Sequence, residues 1–182
     1  MFPTKSRSIF SVRFCFSVQP TCYKVIGLPI NKKTKELLCF RVLDRHLAIS
    51  TSNTREVFAL SNITSLPLTP PLLVGLTNLR GSALPVFDLA GLWRNESREI
   101  KLLESRCIAI EDGTQVIALL ADKIEEILAI SEIHKLPAAD EISEFMFQKD
   151  GRQIAEIDLE KLLHMATVVM KRELRRKGVS VG

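Results

Sequence analysis

The stretch REVFALSNITSLP, Arg55–Pro67, returns 70 residues later as EEILAISEIHKLP, Glu125–Pro137. Glu56, Ala59, Ser61, Ile63, Leu66 and Pro67 fall on identical residues, and Val57 and Leu60 fall on isoleucines. Extended outward without a gap, residues 37–93 lie on residues 107–163, adding Ala48/Ala118, Gly81/Gly151, Asp88/Asp158, Leu89/Leu159 and Leu92/Leu162. These 11 identities in 57 positions exceed the about 3 or 4 that composition alone would give, and the apolar positions between them keep step. The period is too long for a solenoid unit, so the reading is two similar subdomains, a pseudo-dimer within one chain.

Within each unit the pattern is that of short strands. The runs Leu37–Leu43 and His46–Ser50 are split by Asp44-Arg45, and Cys107–Ile110 and Val116–Leu120 by Asp112-Gly113; each pair reads as a β-hairpin. Asn53–Leu60 and Asp122–Ile130 carry charges that suit a helix, but their Val, Ile and Phe content with near alternation favours a strand. Leu73–Gly81 and Ala83–Leu89 read as a further hairpin turning at Gly81-Ser82. Each unit thus holds about five short strands, and small five-stranded sheets escape open edges by curling into barrels. From Asp158 onward, Leu159, Leu162, Leu163, Ala166, Val169 and Met170 have helical spacing, and Lys and Arg gather where they complement a helix dipole. A closing amphipathic helix over about 159–177 is expected.

At 182 residues, with 46% hydrophobic and 25% charged positions, the chain has the composition of an ordinary globular protein. Its net charge of +4 conceals an uneven distribution: residues 1–35 carry seven Lys or Arg and no acid, while residues 36–170 carry 13 basic and 20 acidic residues. An acidic body argues against a nucleic-acid groove built into the fold. Cys15, Cys22, Cys39 and Cys107 form no CxxC pair, and Cys39 and Cys107 sit in matching apolar runs, as small hydrophobes do in a reducing cytoplasm. His46, His134 and His164 are scattered without a nucleophile or acid motif beside them, so neither a metal site nor a catalytic constellation is indicated. Residues 1–35 lie outside the repeat. Arg13 interrupts their apolar run and no small-residue cleavage site follows, so they read as a disordered extension rather than a signal peptide. A membrane-seeking basic and aromatic arm is the alternative.

The segment Thr69-Pro-Pro-Leu-Leu-Val-Gly-Leu-Thr-Asn-Leu-Arg-Gly-Ser-Ala-Leu-Pro-Val-Phe-Asp-Leu89 resembles the central signature of the CheW family, the coupling proteins of bacterial chemosensory systems. Its specific part is the turn Asn78-Leu79-Arg80-Gly81 followed by Pro85-Val86 and Asp88-Leu89. The resemblance runs from about Leu37 to Leu163 and includes Leu120–Leu128 and Ile157–Leu163. It implies a mainly β fold of two tandem five-stranded SH3-like barrels with a C-terminal helix, spanning residues 36–182. It further implies a cytoplasmic, non-enzymatic adaptor without cofactor, bridging the tips of chemoreceptors to the regulatory domain of a CheA-type histidine kinase. The membrane would then be reached only through receptors. By the family pattern Arg80, Gly75 and Asn78 belong to partner-binding surface, and Thr54, Glu56 and Val57 face the receptor side.

The repeat adds a physical complement to this. Gly81 and Gly151 are shared and serve the turn, whereas Arg80 stands where the second unit has Asp150, so the arginine is free for another task and is expected to point into solvent for a partner contact, with a solvated or intramolecular ion pair as the alternative. Asp88 and Asp158, also shared, read as turn or cap residues. The chain departs from the family at Ala118, at a shorter segment around Phe145–Gly151, and at Glu156 in place of an apolar residue. A small-barrel nucleic-acid-binding protein is the competing class, and it would need aromatic and basic residues interleaved on strands.

Overall fold

The computed structural model describes residues 11–16, 21–26, 35–113, 115–130, 136–137 and 140–178, the first two segments by their backbone. Among these residues thirteen strands and two α-helices follow in order, with one 3-10 turn at Thr51–Asn53. They are β1 (Ser11–Phe16), β2 (Thr21–Ile26), β3 (Lys35–Val42), β4 (Arg45–Ser50), β5 (Thr54–Ala59), β6 (Leu73–Leu79), β7 (Ser82–Phe87) and α1 (Leu89–Arg94). The second half adds β8 (Arg106–Glu111), β9 (Val116–Ala121), β10 (Lys123–Ile130), β11 (Leu136–Pro137), β12 (Ser143–Lys149), β13 (Arg152–Ile157) and α2 (Leu159–Arg176). Shifted by the repeat, β6, β7 and the start of α1 fall residue for residue on β12, β13 and the start of α2.

The strands form two sheets, ordered β2-β1-β5-β8-β9-β7-β6 and β10-β3-β4-β13-β12-β11. In this order the two repeat units are interlocked. Barrel A takes β5, β6 and β7 from the first unit but its central hairpin, β8–β9, from the second. Barrel B takes β10, β12 and β13 from the second unit and β3–β4 from the first. Each exchanged hairpin is held on both sides, by an antiparallel pairing (β8 with β5, β3 with β10) and by a parallel one: β9 with β7 at Ala118–Val86 and Leu119–Phe87, and β4 with β13 from His46–Ile154 to Ala48–Glu156. The sequence led to a picture of five strands per unit closing on themselves. Self-similarity shows that two hairpins are alike and cannot show which copy each one pairs with.

The exchange accounts for the continuous apolar runs of the hairpins. Leu37, Cys39 and Ala48 point into barrel B, alongside Phe145, Phe147 and Ile154. Cys107, Ala109, Ala118 and Leu120 fill barrel A against Phe58, Leu60, Leu84 and Val86. The opposite faces of the same strands, Leu38, Phe40, Leu47 and Ile49 with Ile108, Ile110, Ile117 and Leu119, meet in one core between the barrels. A strand covered on both faces reads as a run rather than an alternation. The exchanged hairpins supply small residues, Cys39, Ala48, Cys107, Ala109 and Ala118, opposite large ones such as Phe147 and Leu60, which fits the narrow lumen of a five-stranded barrel. α2 seals the shared core with Leu162 and Ala166, and its basic last turn is solvent-exposed.

Two local features differ from the sequence reading. α1 was not anticipated, although Leu89 and Leu92 repeat at helical spacing in α2. Residues 11–26, expected within a disordered extension, contain a hairpin: β1 pairs with β2 and lies parallel to β5.

Each barrel is closed by the chain doubling back. In barrel A, Thr64 and Leu76 exchange backbone hydrogen bonds of 2.7 and 2.9 Å; in barrel B, β11 pairs with β12 at Leu136–Met146. Gly75 sits at the first closure, where a Cβ would run into the Thr64 carbonyl oxygen. Gly81, by contrast, has open space around it and φ of +88°. Gly75→Ala should therefore cost more than about 2 kcal/mol through displaced backbone, while Gly81→Ala should cost about 1 kcal/mol through φ alone. Urea unfolding of the two variants checks this order.

Candidate partner-binding site

The β6–β7 hairpin turns on two residues, Arg80 and Gly81, with φ of +54° and +88°. A two-residue hairpin of this kind needs positive φ at both positions so that its twist matches the strands. The β12–β13 hairpin repeats the arrangement with Asp150 at +49° and Gly151 at +76°. The turn lies one residue earlier than Gly81-Ser82, the position read from the sequence. Asn78 braces it: its Oδ1 accepts the Gly81 N–H at 2.9 Å, and its own N–H donates to Asn62 Oδ1 at 3.3 Å.

The Arg80 guanidinium was expected to stand free in solvent. It is half-exposed and also makes the intramolecular ion pair that was the alternative, its Nη2 donating to Glu56 Oε2 at 2.7 Å. Glu56 is nearly enclosed, its side chain 10% exposed, while the Arg80 side chain remains 54% exposed. The pair crosses the seam between β5 and β6, where barrel A has little backbone ladder. Barrel B has the same acid in the same place. Glu126 on β10 accepts from Lys149 Nζ at 2.8 Å and from Arg152 Nη2 at 3.1 Å. The hydrogen bond from Lys149 holds the Glu126 carboxyl below the usual glutamate range; desolvation opposes it, and the Lys149 charge with the Arg152 hydrogen bond and charge outweighs that opposition. The repeated glutamate is therefore a seam clasp, and the halves differ in where its cation comes from.

The other residues expected at the site are spread out. Thr54 is buried and donates from Oγ1 to the Ser50 carbonyl at 3.1 Å. Val57 is fully buried in the core between the barrels, so its side chain is not partner surface. Gly75 is buried at the barrel closure rather than presented beside Arg80. The structure thus brings Arg80, Glu56, Asn78 and Gly81 together and sets Thr54, Val57 and Gly75 behind them. Asp88 and Asp158 cap α1 and α2, accepting from the N–H groups of Ala90 at 3.0 Å and Lys161 at 3.1 Å. Burial pushes the Cys39 and Cys107 thiols up to about 12, so both stay protonated. His46 Nδ1 lies 3.0 Å from Glu125, and His134 lies outside the described residues.

Two polar clusters escaped the sequence reading. Arg98, from the link between the repeat units, donates to Asp88 at 2.7 Å and also to Asp122. Asp122 in turn accepts the Leu43 N–H at 2.6 Å. One guanidinium thereby ties the α1 cap, the start of β10 and the tip of the β3–β4 hairpin. Burial works against the Arg98 charge, but the two carboxylates outweigh it and raise its pKa. The second cluster is Glu156 with Lys35. Glu156 occupies the place that Val86 has in barrel A, and its buried carboxylate pairs with the Lys35 ammonium. Burial opposes the Lys35 charge too, and Glu156 and Glu144 overcome it.

The CheW-like domain family matches residues 36–168, which takes in both barrels and most of α2. The chain belongs to the CheW-like family. A probable chemotaxis protein CheW of Rhizobium etli is 28% identical over 140 residues, covering 73% of this chain and 90% of that protein. The chemotaxis protein CheW of Thermotoga maritima is 28% identical over 145 residues, covering 75% of this chain and 92% of that protein. Among solved structures, the scaffolding protein TtCheW from Thermoanaerobacter tengcongensis superposes with a TM-score of 0.61 at 28% identity, covering 72% of this chain and 87% of that one. The family fold is the double barrel described above. Its match begins at residue 36, leaving the β1–β2 hairpin outside.

Two outcomes follow from the charge clusters. Arg98→Met leaves the buried Asp88 carboxylate without its cation and should destabilise the fold by about 2–4 kcal/mol, measured by denaturant unfolding; Arg98→Lys should recover part of the loss. The Glu126 carboxyl should titrate by NMR below the usual value of about 4.3. Because that pKa is depressed, its stabilising contribution is present at neutral pH and is lost as pH falls through the depressed value. Lys149→Met should move the titration back toward the ordinary range.

Proposed function

We propose that this chain is a non-enzymatic adaptor coupling chemoreceptors to a CheA-type histidine kinase. It works in the cytoplasm and reaches the membrane only through the receptors. The observation that carries this is the CheW-like double barrel over residues 36–168, with its likeness to a solved scaffolding protein. A coupling protein has to hold two partners at a fixed geometry. Two barrels locked by exchanged hairpins over one continuous core suit that requirement better than two domains on a linker, which would move by default.

The turn at Arg80 is the docking surface we assign to a partner, with Asn78 and Glu56 supporting it. Arginine is enriched at interface hot spots because it combines charge, directed hydrogen bonds and an apolar stem. The 2.7 Å bond to Glu56 holds the guanidinium before a partner arrives, so less side-chain freedom is lost on association. β5, which supplies Glu56, belongs to the receptor-facing side in this assignment, and the kinase regulatory domain meets the barrel through the hairpin tip.

Titration calorimetry with the regulatory domain of such a kinase and with a receptor cytoplasmic fragment tests the reading, with mixed-sequence DNA as the comparison. Binding to DNA alone would overturn it in favour of a nucleic-acid-binding barrel. Arg80→Gly separates binding from folding. It takes the cation from the nearly enclosed Glu56 carboxylate but also relieves the positive φ, so stability should fall by only about 1–2 kcal/mol and the fold should persist. Affinity for one of the two partners should fall at least tenfold, about 1.4 kcal/mol. Asp150→Gly, at the matching turn, should leave both affinities unchanged.

A further inference from the structure

In the first sheet the outer neighbour of β5 is β1, which runs parallel to it with Arg13 opposite Glu56 and Phe14 opposite Val57. β2 then pairs antiparallel with β1 along its whole length, from Ser11–Ile26 to Phe16–Thr21. Among the described residues barrel B has no equivalent, for β10 is the terminal strand of its sheet. Without β1, β5 would present a row of unpaired N–H and C=O groups, the template used when an extended segment adds to a sheet. The hairpin meets β5 over two register pairs, and an isolated two-stranded hairpin is marginal in water.

Charge adds to the attachment. Residues 1–35 carry seven basic residues and no acid, against an excess of acid in residues 36–170, so the segment is drawn to the body by a force that salt screens. Its register sets it beside Glu56, the residue that holds Arg80.

We infer that the outer edge of β5 is a strand-addition site filled by the chain's own N-terminal hairpin, which keeps a partner's extended segment off the β5 backbone beside Glu56. The inference rests on the reading of the Glu56–Arg80 face as a partner surface. A partner engages only molecules whose hairpin has left β5, so its apparent affinity is reduced by that fraction.

The test uses the full chain carrying Arg13→Pro and Phe14→Pro, since proline supplies no N–H and cannot sit inside a paired strand. Amide hydrogen exchange of β5 around Glu56 and Val57 reads the edge directly, and calorimetry reads affinity for the kinase regulatory domain and the receptor fragment. Exchange at these amides should accelerate and one affinity should rise about tenfold. A synthetic peptide of residues 11–26 added to the variant should reverse both changes. Unchanged exchange overturns the inference, as does faster exchange with unaltered affinity. If wild type and variant both fail to bind either partner, the adaptor reading falls and the exclusion of a partner's segment with it, a failure recognised by exchange having changed.

Discussion

Neither barrel can be completed without a hairpin from the other half of the chain, and most of the structure depends on that constraint. The parallel joins β7·β9 and β13·β4 are made between segments distant in sequence, so the closure entropy of both is offset by a core they share. That core, from Leu38 and Phe40 to Ile108, Ile110 and Leu162, belongs to neither barrel alone. Sliding the barrels past one another would break backbone ladders as well as apolar contacts. The double barrel is thereby one body with two similar ends, and Arg98 adds a polar tie across the same junction.

Much of this was legible in the sequence because duplication prints the same pattern twice. β6, β7, β12 and β13 could be placed from Gly81/Gly151, Asp88/Asp158 and the apolar positions between them. Where a strand faced a core on both sides, as β3 and β8 do, the missing alternation was already a sign of double burial. The exchange itself was not legible, since a repeat specifies shape and leaves partner choice to packing. The candidate site was half legible. Glu56 and Arg80 were both singled out, but their contact joins residues 24 apart in sequence across a seam visible only after closure. Val57 and Gly75 lay close to them in sequence yet turn inward, one to the shared core and one to the Thr64 backbone. Arg98 was hidden because it sits in the unrepeated link, where there is no second copy to compare.

The halves have diverged most where charge enters. Val86 lines barrel A, and in its place Glu156 lines barrel B, a substitution that costs desolvation unless a cation follows the carboxylate inward. Lys35, the first residue of β3, is that cation. Because β3 reaches barrel B through the exchange, the residue that neutralises Glu156 comes from the opposite half of the chain. A repeat unit folding on itself would not have brought the two together.

The same comparison bears on Arg80. Both seams hold a glutamate and both need a cation for it. Barrel B takes its cations from Lys149 and Arg152, which flank the turn on ordinary extended backbone, and gives the left-handed position to Asp150, a residue that tolerates it. Barrel A puts its cation in the left-handed position itself, where a residue with a long side chain costs about 1 kcal/mol. A half-exposed ion pair returns no more than about that amount. Folding therefore gains nothing from Arg80 that a lysine or arginine beside the turn would not supply at lower strain. What the position does provide is a cation at the tip of a hairpin, held by Glu56 from beneath and open above, and strain retained without a folding benefit is the physical argument behind the partner contact proposed for this turn.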